Sequence, residues 1–197
     1  MQNFEYANPS SLKEATALLG ASWADAQVLA GGTDLISLMK DYIETPRRVV
    51  TIKNIKELGG ISASKGGLRI GATVTFEELA NNAAVRTQYP SLASAVRGVT
   101  SPQIRNMGTV GGDLCQRPRC WYYRNGNGLL AMKDGKSLVS GGENRYHAIF
   151  GDSSHVADLR ARYAANRRGK RRVVRADCGI VRQLLERDCR ADAQSAL

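Results

Sequence analysis

Two pairs of adjacent glycines, in Ala30-Gly31-Gly32-Thr33-Asp34 and Thr109-Val110-Gly111-Gly112-Asp113, lie roughly eighty residues apart and constrain the fold more than any other feature. Where two glycines adjoin, the missing Cβ atoms let the backbone turn tightly and let an anion approach a row of N–H donors. Around the first pair a larger pattern is complete. Gln27-Val28-Leu29-Ala30 reads as a short buried strand, Asp34 to Tyr42 as a helix carrying Leu35, Ile36, Leu38 and Met39, and Arg48-Val49-Val50-Thr51-Ile52 as a second buried strand. Strand, glycine turn, helix and strand make a βαβ-like unit. A helix beginning just after Gly32 aims its N-terminal N–H groups at a phosphate. Ahead of this unit, the Ser10-Ser11 cap and the spacing of Leu12, Ala15, Leu18 and Leu19 predict an amphipathic helix over residues 11–20.

After Asn54 the chain changes to hairpin chemistry, which suggests a second lobe. Gly60 to Ser64 and Leu68 to Val74 alternate around the turn Lys65-Gly66-Gly67. Thr75 caps a helix starting Phe76-Glu77-Glu78-Leu79-Ala80, with Glu78 at the third helical position of a capping box. Residues 91–99 read as another helix, and Pro102 opens the segment Gln103 to Gly108 that leads into the second glycine pair. An aromatic and basic stretch follows, Arg117-Pro118-Arg119-Cys120-Trp121-Tyr122-Tyr123-Arg124, and then a Gly-rich run to Gly142.

At 197 residues the chain can build one domain or two small lobes. No stretch approaches the roughly 20 apolar residues of a membrane span, and the first residues lack signal-peptide character, so a soluble, cytoplasmic protein is expected, or a periplasmic one if exported with a partner. The net charge of +10 invites a nucleic-acid reading, but residues 152–197 hold 11 Lys and Arg against 6 Asp and Glu, whereas residues 1–151 hold 17 against 12. Half of the excess therefore sits in the tail. From about Leu159, arginines fall without helix or strand periodicity. Such text is what a GC-rich gene yields when read out of frame, so the tail after about Asp158 is expected to be a frameshift product or a truncated end.

Three motifs in order, Val28 to Leu35, Gly71-Ala72-Thr73-Val74-Thr75 and Ile104-Arg105-Asn106-Met107-Gly108-Thr109-Val110-Gly111-Gly112-Asp113-Leu114, resemble the flavoprotein (medium) subunit of the molybdenum hydroxylases, the xanthine dehydrogenase family. The resemblance spans residues 1 to about 157. It implies an α+β fold: a two-lobed FAD-binding domain of the vanillyl-alcohol-oxidase type, with an N-terminal lobe over 1–55, an incomplete second lobe over 56–158 and an Arg-rich tail over 159–197. It also implies that Val28, Leu29, Ala30, Gly31, Gly32, Thr33, Asp34 and Leu35 wrap the pyrophosphate of FAD. Thr109, Val110, Gly111, Gly112 and Asp113 would approach from the other lobe, with Ser101, Arg105, Asn106 and Gly108 lining the cleft. Partners would be a large subunit carrying a molybdenum cofactor and a small subunit carrying [2Fe–2S] clusters, with no nucleic acid and no membrane. The chain would relay electrons and would carry no general acid or base of its own.

The segment from Leu114 to Arg124, with Gly142 to Ile149, looks like the periplasmic aldehyde oxidoreductase subgroup, some of whose relatives hold an extra [4Fe–4S] cluster. Such a cluster needs four thiolates. Only Cys115 and Cys120 lie in the matching region, Cys178 and Cys189 being in the tail, so the ligand count argues against it. Two rival functions are nucleic-acid binding through the basic tail, which leaves the glycine loops unexplained, and a stand-alone flavin oxidase, for which the chain offers no sizeable substrate domain. Either glycine pair alone could simply end a strand or cap a helix. Two pairs with Thr and Asp nearby favour a ligand.

Overall fold

The structure, a computed structural model, describes residues 1–64, 67–99, 101–116, 120–127 and 131–145. The expectations for the Lys65-Gly66 turn, for Arg117 to Arg119, for Tyr146 to Ile149 and for the Arg-rich tail lie outside the described residues. The architecture is mixed α/β. The chain divides into two compact units, the first holding described residues 1–116 and the second 120–145.

The first unit begins with β1 (Glu5–Ala7), α1 (Leu12–Leu18), β2 (Ala26–Leu29), α2 (Leu35–Lys40) and β3 (Arg48–Thr51). The three strands form a parallel sheet in the order β1-β3-β2, with Tyr6 opposite Val49 and Val28 opposite Val50. Side chains alternate across a strand, so the burial of both Val49 and Val50 shows that the central strand is covered on both faces. Val50 belongs to a cluster with Ala15, Leu19, Ala26, Ile52, Ile55, Leu58 and Ala72. α1 is fixed as its sequence predicts: Ser11 Oγ accepts from the Glu14 N–H at 3.2 Å, and the Glu14 carboxylate accepts from Ser10 N–H at 2.9 Å. β1 has no sequence signature. It is three residues long and largely exposed, and what makes it a strand is its pairing with β3 and the 2.8 Å ion pair of Glu5 with Arg48.

A 3-10 turn at Lys56–Leu58 leads to the antiparallel hairpin β4 (Ile61–Ser64) and β5 (Gly67–Ile70). The expected second hairpin strand is shorter than Leu68 to Val74. Gly71 N–H makes one last bond across to Gly60 O at 2.8 Å, a Cβ on Gly71 would lie 2.3 Å from the Leu58 carbonyl oxygen, and Thr73 N–H turns back to that same oxygen at 3.0 Å. α3 (Phe76–Asn81) carries both halves of the Thr75–Glu78 capping box. It is followed by α4 (Ala83–Gln88) and α5 (Pro90–Arg97). Leu68, Ile70, Val74, Leu79, Ala80, Val85, Ala93 and Val96 form the second cluster. The segment opened by Pro102 is a short helix, α6 (Pro102–Met107), capped by Ser101, and the expected second glycine turn lies in another, α7 (Val110–Leu114), capped by Thr109.

In the second unit Cys120 caps α8 (Trp121–Arg124), its Sγ accepting from the Tyr123 N–H at 3.4 Å. A two-residue turn joins β6 (Met132–Lys133) to β7 (Lys136–Ser137). Asp134 and Gly135 take φ of 51° and 72°, the pair of positive values that an Asp-Gly hairpin turn requires. Tyr123, Ala131 and Val139 are buried.

Candidate functional site

β2 delivers the chain to Gly31 and Gly32. The Leu29 carbonyl accepts from Ile52 N–H at 3.0 Å, and Gly32 turns the backbone at φ 77°, in the region that favours glycine. α2 then starts with the Ile36 N–H donating to the Gly32 carbonyl at 3.2 Å, while Asp34 at the cap position makes no side-chain capping bond. Among the described residues, the N–H groups of Gly31, Gly32 and Thr33 donate to nothing in the chain. These are the open donors that the sequence leads one to expect.

The second pair differs. Val110 N–H donates to Val74 O at 2.9 Å, Gly111 N–H to Ala72 O at 2.9 Å, Gly112 N–H to Thr109 Oγ1 at 3.2 Å and Asp113 N–H to Thr109 O at 3.0 Å. The expectation of a row of unspent donors is therefore corrected here: tertiary contacts with the chain after β5, and the helix itself, consume them. Gly111 is small for a different reason, since a Cβ on it would lie 2.7 Å from Ala72 Cβ and 2.8 Å from Ala72 O.

The two motifs meet directly. A Cβ on Gly31 would lie 1.8 Å from the Met107 carbonyl oxygen, so the first turn rests on the backbone just ahead of the second motif. Beside this contact runs a cleft of about 320 Å³. Of the expected site residues, Gly31, Asn106 and Thr109 line it. The others flank it or serve the scaffold. Val28 and Ala30 pack against the first cluster and Val110 against the second. Leu29 ends β2, and Leu35 opens α2. Ser101 Oγ caps α6 by accepting from Ile104 N–H at 3.3 Å. The Gly108 carbonyl accepts from Phe76 N–H at 3.1 Å, and Gly108 lies close to the Phe76 ring. Thr33, Gly112 and Asp113 are exposed, and Asp113 Oδ1 accepts from Gln116. Arg105 is not among the lining residues; it pairs with Glu77.

Sequence reasoning missed Lys53, Gly59, Gly60, Thr73, Thr75 and Glu78, which also line the cleft. The third motif, Gly71 to Thr75, was a signal for two of them. Lys53 is the one cation among the lining residues, and its ammonium group has no partner among the described residues. The Glu78 carboxylate, by contrast, is occupied by Thr75 N–H at 2.7 Å and Thr75 Oγ1 at 2.9 Å. Near the cleft, Glu77 is held below the ordinary carboxylate range, first by the hydrogen bond from Arg105 and then by one from Asn81.

Residues 2–148 match the model of a family described as the FAD binding domain in molybdopterin dehydrogenase. The chain belongs to this FAD-binding family. The carbon monoxide dehydrogenase medium chain of Hydrogenophaga pseudoflava is 40% identical over 111 residues, covering 56% of this chain and 39% of its own. The aldehyde oxidoreductase FAD-binding subunit PaoB of Escherichia coli is 35% identical over 175 residues, covering 81% of this chain and 52% of its own. Among solved structures, quinoline 2-oxidoreductase from Pseudomonas putida 86 superposes with a TM-score of 0.55 at 35% identity, over 58% of this chain and 40% of that one. The chain thus spans about two fifths to one half of the length of these relatives. FAD is the cofactor of this family, and the residues present fit it: the turn at Gly31 to Thr33 supplies donors without internal partners, and Lys53 supplies a counter-charge to a diphosphate.

Two of the four cysteines fall in the described residues, Cys115 and Cys120. Cys115 packs against the first hydrophobic cluster and Cys120 caps α8. Among the described residues no three His, Cys, Asp or Glu side chains gather in metal-binding geometry. Cys178 and Cys189 lie outside the described residues. Among those residues, too, no helix is long and apolar enough to cross a membrane.

Proposed function

We propose that this chain is the FAD-binding, electron-relaying part of a molybdenum-dependent hydroxylase, in a two-lobed domain of the vanillyl-alcohol-oxidase type with lobes over 1–55 and 56–158. The observation that carries this reading is the cleft lined by Gly31, in a turn whose amides have no partner among the described residues, together with Lys53, Asn106 and Thr109. In this reading the N–H groups of Gly31, Gly32 and Thr33 donate to the diphosphate, and Lys53 balances its charge. Asn106 and Thr109 form the facing wall, and the segments Val28–Leu35 and Thr109–Asp113 hold the two walls in register. Bound FAD supplies the redox chemistry. The protein residues bind, orient and exclude water; none is assigned a proton-transfer role.

Electrons would reach this site from [2Fe–2S] clusters on a small subunit, themselves supplied by a molybdenum cofactor on a large subunit, and leave to an external acceptor. Substrate choice then resides on the large subunit. The test is the visible absorption spectrum of the purified chain with and without added FAD. Retained flavin absorption after gel filtration is the expected result, and a chain that remains colourless after incubation with excess FAD would overturn the assignment.

A further inference from the structure

The family resemblance places Arg105 along the cleft, but its guanidinium is already committed. Nε donates to Glu77 Oε2 on α3 at 3.0 Å, and Nη1 donates to the Val99 carbonyl at 2.8 Å. Glu77 is itself steadied by Asn81 Nδ2, which donates to its other oxygen at 3.0 Å. The helix that carries Arg105 has weak apolar anchorage: α6 contains no buried residue, and Ile104 and Met107 are 45% and 47% exposed. Yet this helix leads directly into the cleft wall. Asn106 and Thr109 line the cleft, and the Met107 carbonyl is the surface on which the Gly31 turn rests. Backbone bonds hold the C-terminal side of this wall, from Phe76 N–H to Gly108 O and from Val110 N–H to Val74 O, and the fork of Arg105 ties α6 itself to α3 and to Val99, two residues past α5.

We propose that Arg105 is a positioning residue, which fixes the Asn106–Thr109 wall by bridging Glu77 and the Val99 carbonyl and acts on FAD only through that wall. The inference rests on the FAD reading of the cleft. A planar guanidinium can span two acceptors in different directions, which the point charge of a lysine ammonium does poorly. The charge-assisted bonds are also directional enough to set an orientation where apolar packing does not.

The test uses the full chain with Glu77→Gln and Arg105→Lys, measuring FAD affinity, melting temperature and amide hydrogen exchange over residues 101–109. Arg105→Lys keeps the charge but loses the fork; Glu77→Gln keeps Arg105 but loses the ion pair. Both are expected to weaken FAD binding about tenfold, as for a wall correctly placed only about a tenth of the time, and to speed exchange over 101–109 while the melting temperature falls by only a few degrees. Unchanged or tighter FAD binding in Glu77→Gln overturns the proposal, because freeing a directly coordinating arginine would have that effect. Unchanged exchange over 101–109 overturns it as well, with or without FAD. If the wild-type chain takes up no flavin, the reading of the cleft is what fails, and the exchange measurement on the apo chain still decides whether the fork holds the wall.

Discussion

At Gly31-Gly32 the backbone N–H groups have no partners among the described residues, whereas at Gly111-Gly112 both N–H groups are bonded within the protein. The first pair lies at the mouth of a strand, where the chain must reverse and Gly32 adopts φ 77°. The second lies inside a short helix docked on the chain that follows β5, and there glycine removes a collision with Ala72. Identical dipeptides thus answer two different physical needs. One leaves donors open to a ligand. The other lets two backbones touch.

Substitutions can separate these roles. The largest effect is expected at Gly31→Ala, because its Cβ would meet the Met107 carbonyl at 1.8 Å and backbone on both sides would have to move. A loss of about 3 kcal/mol in denaturant-measured stability is expected together with loss of flavin, the upper range for overpacking. Gly111→Ala comes next, with contacts of 2.7 and 2.8 Å to Ala72. It should cost about 2 kcal/mol in the absence of flavin, and any FAD loss should follow that destabilisation. Gly32→Ala should cost only about 1 kcal/mol, the penalty for a left-handed conformation at a residue with Cβ. Here FAD affinity should fall out of proportion to stability, since the distorted turn carries the open donors. If urea melts instead rank Gly32→Ala as more damaging than Gly111→Ala, the division of roles between the pairs is wrong.

The smallest effect concerns pH and bears on the second wall alone. The folded-state value of Glu77 is depressed, mainly by Arg105, with Asn81 and Arg97 adding to it. Its contribution is therefore fully present above glutamate's ordinary value of 4.5 and is lost as pH falls through the lower folded value. Exchange over residues 101–109 should quicken modestly below pH 4.5. Asp25, held down by hydrogen bonds from Ser22, titrates in a neighbouring range, so melting temperature would report both carboxylates and local exchange is the cleaner measurement.

The βαβ unit was legible because local signals agree there: an apolar strand, a glycine turn and a helix with apolar spacing follow one another between residues 26 and 51. The Thr75–Glu78 box was legible for the same reason, as all its partners lie within four residues. What escaped is set by distant partners. β1 is a strand only because β3 lies beside it. The amides of Val110 and Gly111 are spent on Val74 and Ala72, nearly forty residues away along the chain, which no local pattern around the glycines reveals. Lys53 reaches the cleft because the chain after β3 passes it, and an isolated lysine after an apolar strand carries no mark of that. The Asp134-Gly135 hairpin, by contrast, had a readable turn signal inside a glycine-rich run.

The contact of Gly31 with the Met107 carbonyl joins positions seventy-six residues apart in the chain. Closing so long a loop costs entropy that only the finished clusters on either side can repay. During synthesis the first glycine turn therefore leaves the ribosome well before its supporting surface exists. On the proposed reading of the cleft, cofactor capture would be a late event, timed by the emergence of the segment near residue 110.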